Sequence, residues 1–233
     1  MNMKIGILVF PGSNCDHDAY YALKTVLQTE AEFVWHKERE LKNFDLIVVP
    51  GGFSYGDYLR SGAIARFSPV MEALSTYANQ GRPVIGICNG FQILLEAGLL
   101  PGSMLHNRDL RFICKDVHVR VDSTDSLFTG GLEEREVLKI PVSHGEGNYF
   151  TDEDGLSALQ DGDQILFRYC DENGVCTPES NVNGSVDSIA GICNRERNVL
   201  GMMPHPERAM EGRLGSVDGL RFFEKLLDHL QPA

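Results

Sequence analysis

Short apolar runs that alternate with helical segments constrain the fold of this chain more than any other feature of its sequence. Three of these runs are Lys4–Phe10, Asp45–Val49 and Pro83–Ile87, and the first two stop at a Pro-Gly pair. Strands that are apolar along their whole length are typical of a parallel sheet that helices cover on both faces. The sequence therefore predicts an α/β fold.

The order of the remaining elements predicts one mixed sheet. After Pro101, β-rich segments follow one another without obvious crossover helices. Asn173-Gly174 lies between two β-rich runs and predicts a two-residue hairpin. Because no repeat or linker divides the chain, we expect a single domain over residues 1–233. The predicted helices are Ala19–Leu27, Pro69–Asn79, Gly90–Ala97 and Val217–Leu230, and the further strands are Phe33–His36, Val117–Val121, Val137–Val142, Ile165–Tyr169, Asp187–Cys193 and Asn198–Met203.

Charge, apolar length and cysteine usage argue against several classes of protein. The net charge is −12 and no basic cluster is present, so nucleic acid is not expected as the main partner. The apolar run Ile5–Phe10 is too short for a signal-peptide core, and no stretch is long enough for a membrane span. The six cysteines form no C-x-x-C pair. We expect reduced thiols in a cytoplasmic protein, and five of the six as small buried side chains.

Cys88 is the exception, because it lies where an apolar strand meets a helix, within Gly86-Ile87-Cys88-Asn89-Gly90. A nucleophile on such a sharp turn projects into the site, and the residues two positions before and after it must be small. The positive end of the following helix favours the thiolate form of Cys88. We expect Cys88 to act as a nucleophile, with the backbone N–H groups of Asn89 and the Gly51-Gly52 pair stabilising an oxyanion.

His205 is the strongest candidate for the base that a cysteine nucleophile needs. It lies between two prolines in Pro204-His205-Pro206-Glu207-Arg208, which disfavours a helix and predicts an extended chain. In an extended chain, residues i and i+2 point to the same side, so Glu207 is expected to reach and orient the imidazole. His144, followed by Gly145, is the competing base, a side-chain contact on the substrate side, or part of a loop that acts through its backbone.

Several long motifs carry a family resemblance that covers the chain from end to end. The elbow C-N-G-F-Q at 88–92 and P-H-P-E-R at 204–208 resemble a class I glutamine amidotransferase, which has a flavodoxin-like fold with a mixed, mostly parallel sheet flanked by helices. Longer motifs resemble the glutaminases that supply ammonia for converting formylglycinamide ribonucleotide to its amidine in purine synthesis. These motifs are F-P-G-S-N-C-D at 10–16, P-G-G-F-S-Y-G-D-Y-L-R at 50–60, G-A-I-A-R-F-S-P at 62–69 and H-G-E-G at 144–147.

The resemblance implies an activity and a set of roles. Glutamine is hydrolysed through a γ-glutamyl thioester, with Cys88 as nucleophile, His205 as base and acid, and Glu207 as its orienter. Gly52 and Asn89 would supply the oxyanion N–H groups, and Gln92 would contact glutamine, with His144 and Gly145 as weaker candidates for substrate binding. Position 17 is His where this family's opening motif has Arg, so no role is assigned to that loop.

The resemblance also implies partners. We expect a large synthetase subunit, together with a small bridging subunit. The sequence has no G-x-x-x-x-G-K-[ST] motif, so ATP and Mg²⁺ are assigned to the synthetase, and neither a metal nor a cofactor is expected in this chain.

Two other functions remain open at this point. One is a cysteine γ-glutamyl hydrolase or peptidase of similar fold. In such peptidases a His often follows the nucleophile, whereas this chain has Asn89. The other is a catalytically inactive scaffold that binds a synthetase, which an intact Cys–His–Glu set disfavours.

Overall fold

The computed structural model of the protein describes residues 3–230. The strands are β1 (Lys4–Val9), β2 (Glu30–Trp35), β3 (Leu46–Val49), β4 (Val84–Ile87), β5 (Ser103–Leu105), β6 (Ile113–Val121), β7 (Val137–His144), β8 (Asn148–Phe150), β9 (Ile165–Cys170), β10 (Ile189–Cys193) and β11 (Val199–Met202). The α-helices are α1 (Asp16–Tyr20), α2 (Pro69–Asn79), α3 (Asn89–Glu96), α4 (Glu153–Asp161) and α5 (Asp218–Leu230). A π-helical segment, Tyr21–Val26, continues α1.

Within residues 3–230, nine strands form one sheet in the order β2-β1-β3-β4-β11-β10-β9-β6-β7. The half from β2 to β11 is parallel and the half from β10 to β7 is antiparallel. The register pairs Val49 with Gly86 and Met202 with Ile87. The carboxyl ends of β3, β4 and β11 therefore meet at one edge of the sheet, where α/β folds commonly bind ligands. A mixed sheet flanked by helices confirms the predicted fold.

The core consists of the apolar strands and the helix faces that cover them. Every residue of β3, β4, β10 and β11 is buried, as continuous apolar runs predict. In α5, Phe222, Phe223, Leu226 and Leu227 are buried against the sheet. Each such side chain contributes about 1.5–3 kcal/mol by leaving water. Val217 lies before α5 and is 48% exposed, so its predicted place on the buried face is wrong.

Several local predictions differ from the structure. β2 begins at Glu30 rather than near Phe33, and β5, β8 and α4 were not anticipated. At Asn173-Gly174 the chain does turn: Gly174 has φ 79°, and the Asp171 N–H donates to the Val175 carbonyl at 2.9 Å. No strand follows the turn, so the two-residue β-hairpin is wrong. Beyond the turn, Val175 is 53% exposed and does not pack into the sheet.

The cysteines are less uniform than expected. Cys15, Cys170 and Cys193 are buried, as predicted, but Cys176 is half-buried and Cys114 is exposed. Cys114 lies on β6, where the strand projects beyond the covered part of the sheet, with exposed residues after it at Lys115 and Asp116. Among the helices of residues 3–230, none is long and apolar enough to span a lipid bilayer.

Candidate active site

Cys88 lies at the tip of a sharp turn between β4 and α3. Its backbone adopts φ 52° and ψ −107°, a conformation that costs a non-glycine residue about 1–3 kcal/mol and is concentrated at functional sites. The Cys88 N–H donates to the Met202 carbonyl at 2.8 Å, so the end of β11 holds the turn. The predicted strand-to-helix elbow is present.

Gly86 and Gly90 allow this turn to form. A Cβ on Gly90 would overlap the Val49 carbonyl oxygen, and a Cβ on Gly86 would lie 2.8 Å from the Gly90 carbonyl carbon. The helix therefore packs so closely against β3 and β4 that neither position has room for a side chain. Since α3 begins at Asn89, the unpaired N–H groups of its first turn lie beside Cys88.

His205 and Glu207 form a buried pair next to Cys88. Nδ1 of His205 and Oε1 of Glu207 are 2.6 Å apart, and both side chains are 1% exposed. A Cβ placed on Gly51 would lie 2.8 Å from Cε1 of His205 and 3.4 Å from Cβ of Cys88. The imidazole and the cysteine thus meet over Gly51, where no side chain fits.

The electrostatics of His205 follow from this burial. Burial opposes the charged imidazolium, but the Glu207 carboxylate and the Cys88 sulfur outweigh it and raise the pKa of His205 to about 10. Nε2 of His205 is buried with no hydrogen-bond partner among the described residues. The Cys88 thiol instead points to the Ser143 carbonyl at 3.7 Å. Hydrogen bonds of this kind are often poorly aligned in active sites without substrate. Because Glu207 binds Nδ1, Nε2 remains for proton transfer.

The chain around His205 and Glu207 is not extended, contrary to prediction. Pro206–Arg208 forms a 3₁₀ turn, and the Arg208 N–H donates to the His205 carbonyl at 3.1 Å. Proline is tolerated at the first position of a helical turn, because its missing N–H would have no partner there. The predicted contact between His205 and Glu207 is made through this turn.

Gly52 and Asn89 lie at the same edge of the sheet. Gly52 has φ 124°, and a Cβ there would be 2.7 Å from the Asn14 nitrogen, so glycine is required. The Asn89 side chain joins α3 to the loop that follows Gly52. Its Oδ1 accepts from the Ser54 N–H at 3.1 Å, and its Nδ2 donates to Asp57 Oδ1 at 3.2 Å.

A cleft of about 180 Å³ opens beside Cys88. This volume is below the roughly 300–1,000 Å³ of sites for drug-sized ligands and suits an amino acid. Gln92 is buried at its wall, where its Nε2 donates to the Glu146 carbonyl at 2.5 Å and its Oε1 accepts from Asn89 Nδ2 at 2.9 Å. The residues predicted from the sequence that line the cleft are Gly52, Cys88, Gln92, His144 and Gly145.

Asn107, which the sequence did not single out, fixes the tautomer of His144. Asn107 Nδ2 donates to the carbonyls of Arg111 and His144 at 2.8 and 2.9 Å. Asn107 Oδ1 therefore accepts, from the Gly147 N–H and from His144 Nδ1, both at 3.0 Å. Burial, and then the nearby His205, lower the pKa of His144 to about 4. With Nδ1 protonated, Nε2 carries a lone pair, and no described residue hydrogen-bonds to it.

Sequence reasoning also missed Cys15, which lies behind the His205–Glu207 pair. Its sulfur, a His205 nitrogen and a Glu207 carboxylate oxygen lie within 4.8 Å of one another. The Arg208 guanidinium donates to Cys15 Sγ at 3.0 Å and to Asp18 at 2.9 Å. Burial and Glu207 raise the pKa of Cys15 far above its ordinary value, so it is a neutral thiol. A metal ion here would lie against the Arg208 guanidinium, so the cluster is better explained as packing that supports the pair.

Comparisons with known proteins agree with this arrangement. The sequence model of the CobB/CobQ-like glutamine amidotransferase domain matches residues 2–217. The chain is 58% identical over 225 residues to phosphoribosylformylglycinamidine synthase subunit PurQ of Koribacter versatilis, covering 97% of each chain. It is 55% identical over 230 residues to the protein of the same name from Salinibacter ruber, covering 99% of this chain and 98% of that one.

Solved structures give the same result. A chain in the structure of PurLQS from Thermotoga maritima superposes with a TM-score of 0.87 and 40% identity, covering 99% of this chain and all of that one. A glutamine amidotransferase from Thermotoga maritima has a TM-score of 0.60 at 14% identity, over 99% of this chain and 98% of that one. The second similarity concerns the fold alone.

Proposed function

The chain belongs to the CobB/CobQ-like glutamine amidotransferase family, and we propose that it is the glutamine-hydrolysing subunit of phosphoribosylformylglycinamidine synthase. It converts L-glutamine to glutamate and ammonia. The ammonia passes to a synthetase subunit, which converts formylglycinamide ribonucleotide to formylglycinamidine ribonucleotide in purine biosynthesis. Relatives that carry this name and are 52–58% identical over nearly their whole length support the proposal.

The observation that carries the chemistry is the buried His205–Glu207 pair beside a cysteine on a strained strand-to-helix turn. In this proposal Cys88 is the nucleophile, His205 the base and acid, and Glu207 the residue that orients His205. The positive φ of Cys88 supports this assignment, because an unused cysteine has no need of a conformation that costs stability.

The reaction then runs in two halves. His205 Nε2 holds the proton that the Cys88 thiol gives up, and the resulting thiolate attacks the side-chain amide carbon of glutamine. The N–H groups of Gly52 and Asn89 stabilise the oxyanion, and His205 returns the proton to the departing ammonia. Water, activated by His205, hydrolyses the γ-glutamyl thioester to glutamate. Gln92, His144 and Gly145 contact the glutamine.

The partners are two: a large synthetase subunit, and with it a small bridging subunit. The structural match to a chain of PurLQS from Thermotoga maritima supports an assembly with other chains. ATP and Mg²⁺ act in the synthetase, and this chain is assigned no cofactor or metal of its own. The assembly works in the cytoplasm, without nucleic acid or membrane as a partner.

A substrate panel tests the proposal. The full chain is purified with its synthetase and bridging partners, and ammonia release is measured from L-glutamine and from γ-glutamyl peptides. We expect turnover of glutamine and formation of the amidine product with ATP. Preference for γ-glutamyl peptides would favour a hydrolase or peptidase, and no labelling of Cys88 by a glutamine-analogue electrophile would favour an inactive scaffold.

A further inference from the structure

Two carboxylates face the cleft beside Cys88. Asp57 and Glu146 both line it, whereas no Lys or Arg is found among the described residues of its lining. Among residues 3–230, the exposed His106 is the one basic side chain beside Glu146: its Nδ1 lies 3.5 Å from Oε1. The Ser61 nitrogen lies 3.4 Å from Oε2. The cleft therefore presents negative charge to whatever enters it.

The two carboxylates are close enough to affect each other. Burial, and next the charge of Glu146, raise the pKa of Asp57 to about 6, although hydrogen bonds from Ser61 and Asn89 act in the opposite direction. Asp57 is also held at φ 52°, an uncommon conformation for a residue other than glycine. Two acids near each other, one of them in an unfavourable backbone conformation, are explained most simply by a cationic ligand that relieves their repulsion.

A second and independent observation is the lone pair of His144. The residue is 3% exposed and lines the same cleft, and its Nε2 has no partner among the described residues. A buried acceptor without a donor costs stability. The hydrogen bond to Asn107 fixes the other nitrogen as the donor, so Nε2 can only accept. A residue that lines the cleft thus carries an unused acceptor, which the N–H group of a ligand would satisfy.

The first turn of helix α3 connects these groups to Cys88. Asn89, one residue after the nucleophile, donates to Asp57 Oδ1, and Gln92, three residues further, donates to the Glu146 backbone carbonyl. Both acids are thus attached to the segment that carries Cys88, and both line the same cleft. In glutamine the α-nitrogen lies four bonds from the side-chain amide carbon, an extended span of about 5 Å at roughly 1.5 Å a bond.

We infer that Asp57 and Glu146, with His144 Nε2 as a third acceptor, bind the α-ammonium group of L-glutamine while its side-chain amide lies at Cys88. Three N–H groups meet three acceptors, two of them anionic. The inference rests on the proposed glutaminase function and adds to it the part of the site that distinguishes an α-amino acid from a simple amide.

The experiment compares two substrates in the assembled complex: L-glutamine, and glutaramate, which is glutamine without its α-amino group. We expect the wild-type complex to prefer glutamine. Asp57→Asn and Glu146→Gln should each lower kcat/KM for glutamine roughly tenfold to a hundredfold, mainly through KM, as expected for losing a hydrogen bond to a charged group. For glutaramate, both variants should stay within about twofold of wild type.

Glu72→Gln is the matched control, because it removes one carboxylate from an exposed position, 3.9 Å from Arg39. It should leave kcat/KM unchanged for both substrates. Protection of Cys88 from alkylation by increasing glutamine or glutaramate gives a second readout that does not need turnover. The wild type should be protected better by glutamine, and the two variants should lose that difference.

The outcomes separate the inference from the function on which it rests. If the wild-type complex releases ammonia from neither substrate, the proposed function fails. If it hydrolyses glutamine but the two variants lose activity equally towards both substrates, the carboxylates position the site or bind released ammonium, and the inference is overturned. Equal preference of the wild type for glutamine and glutaramate would also overturn it.

Discussion

Replacing Glu207 with glutamine distinguishes the contribution of the base, His205, from that of the residue that orients it. The glutamine side chain has the same shape, but it has no charge, and its amide can donate to Nδ1 as well as accept from it. If it donates, the proton of His205 moves to Nε2, the nitrogen that must accept from Cys88. The variant therefore keeps the packing around His205 and loses the anion and the fixed tautomer.

The magnitude follows from the geometry of the pair. Removing one partner of a buried ion pair destabilises a protein by about 3–5 kcal/mol. Glu207 forms such a pair, because it lies 2.6 Å from an imidazole that is equally buried. If about 3–4 kcal/mol of this is felt in the transition state, at about 1.4 kcal/mol per factor of ten, acylation slows by roughly 10²–10³. His205→Asn removes the base itself and should cost about 10⁴ or more.

The pH dependence of the free energy of unfolding also tests the His205–Glu207 pair. The folded-state pKa of His205 is raised from 6.5 to about 10. The stabilisation is therefore fully present below pH 6.5 and is lost as the pH rises through about 10. Removing Glu207 lowers this pKa, so the advantage of wild type over Glu207→Gln in free energy of unfolding should shrink between pH 6.5 and pH 10.

Rapid quenching of a single turnover of glutamine by the assembled complex measures the thioester directly. We expect the acylation rate to be highest in wild type, lower in Glu207→Gln and lowest in His205→Asn. The rate of Glu207→Gln should be well separated from the other two. Acylation by Glu207→Gln within threefold of wild type would refute the orienting role. If Glu207→Gln loses more of the acylation rate than His205→Asn does, the assignment of His205 as the base is refuted.

Three further predictions follow from the same site. His144→Asn should keep most of the acylation rate, because His144 is a neutral acceptor; loss equal to that of His205→Asn in the same assay would identify His144 as the base. Asp57→Asn should raise the Tm at pH 8, because burial, and next the charge of Glu146, raise the pKa of Asp57 from 3.8 to about 6, and such a carboxyl destabilises the fold once it is charged; an unchanged or lower Tm would contradict this raised pKa. The isolated chain should hydrolyse glutamine at least about a hundredfold more slowly than the assembled complex with nucleotide, because one oxyanion donor near Gly52 is expected to be misaligned without the partner. Equal turnover of the two preparations would refute this coupling of hydrolysis to assembly.

The loop after Gly52 has features that suit such coupling. Tyr55, Asp57 and Leu59 have φ of 53°, 52° and 74°, so the loop stores strain that a different conformation can release. The Tyr55 hydroxyl is tied to His36 and Ser68, both at 2.9 Å, whereas Phe53 is 47% exposed. Partner contact is therefore expected at Phe53 rather than at Tyr55.

The parts of the fold that follow from local chemistry could be predicted from the sequence. Pro69–Asn79 is a helix with the predicted bounds, because proline starts it and its apolar residues recur at helical spacing. The elbow at Cys88 could be predicted because a glycine lies two positions before it and another two positions after it. The close backbone packing at that turn is the reason both must be glycine. β5 and β8 are three residues each and pair only with one another, so no periodicity reveals them.

The supporting residues of the site could not be predicted, because they depend on contacts between distant segments. Asn107 fixes His144 across 37 positions, and Arg208 reaches Cys15 across 193. Asp57 and Glu146 appeared within motifs of the resemblance, but nothing in either motif shows that the two acids face one cleft. The Pro-His-Pro sequence favoured an extended chain by local rules, and the 3₁₀ turn that replaced it brings Glu207 to His205 equally well.

In the proposed function, Cys88 performs the glutamine chemistry and the synthetase chemistry takes place in the partner subunit. The direct measurement is amidine formation by the assembled complex carrying Cys88→Ser, with glutamine or with an ammonium salt as nitrogen donor. Cys114→Ser, at an exposed thiol, is the matched control and should keep both activities. Cys88→Ser is expected to abolish the glutamine-dependent reaction and to keep the ammonium-dependent one. Loss of both reactions, or retention of the glutamine-dependent one, would contradict this expectation.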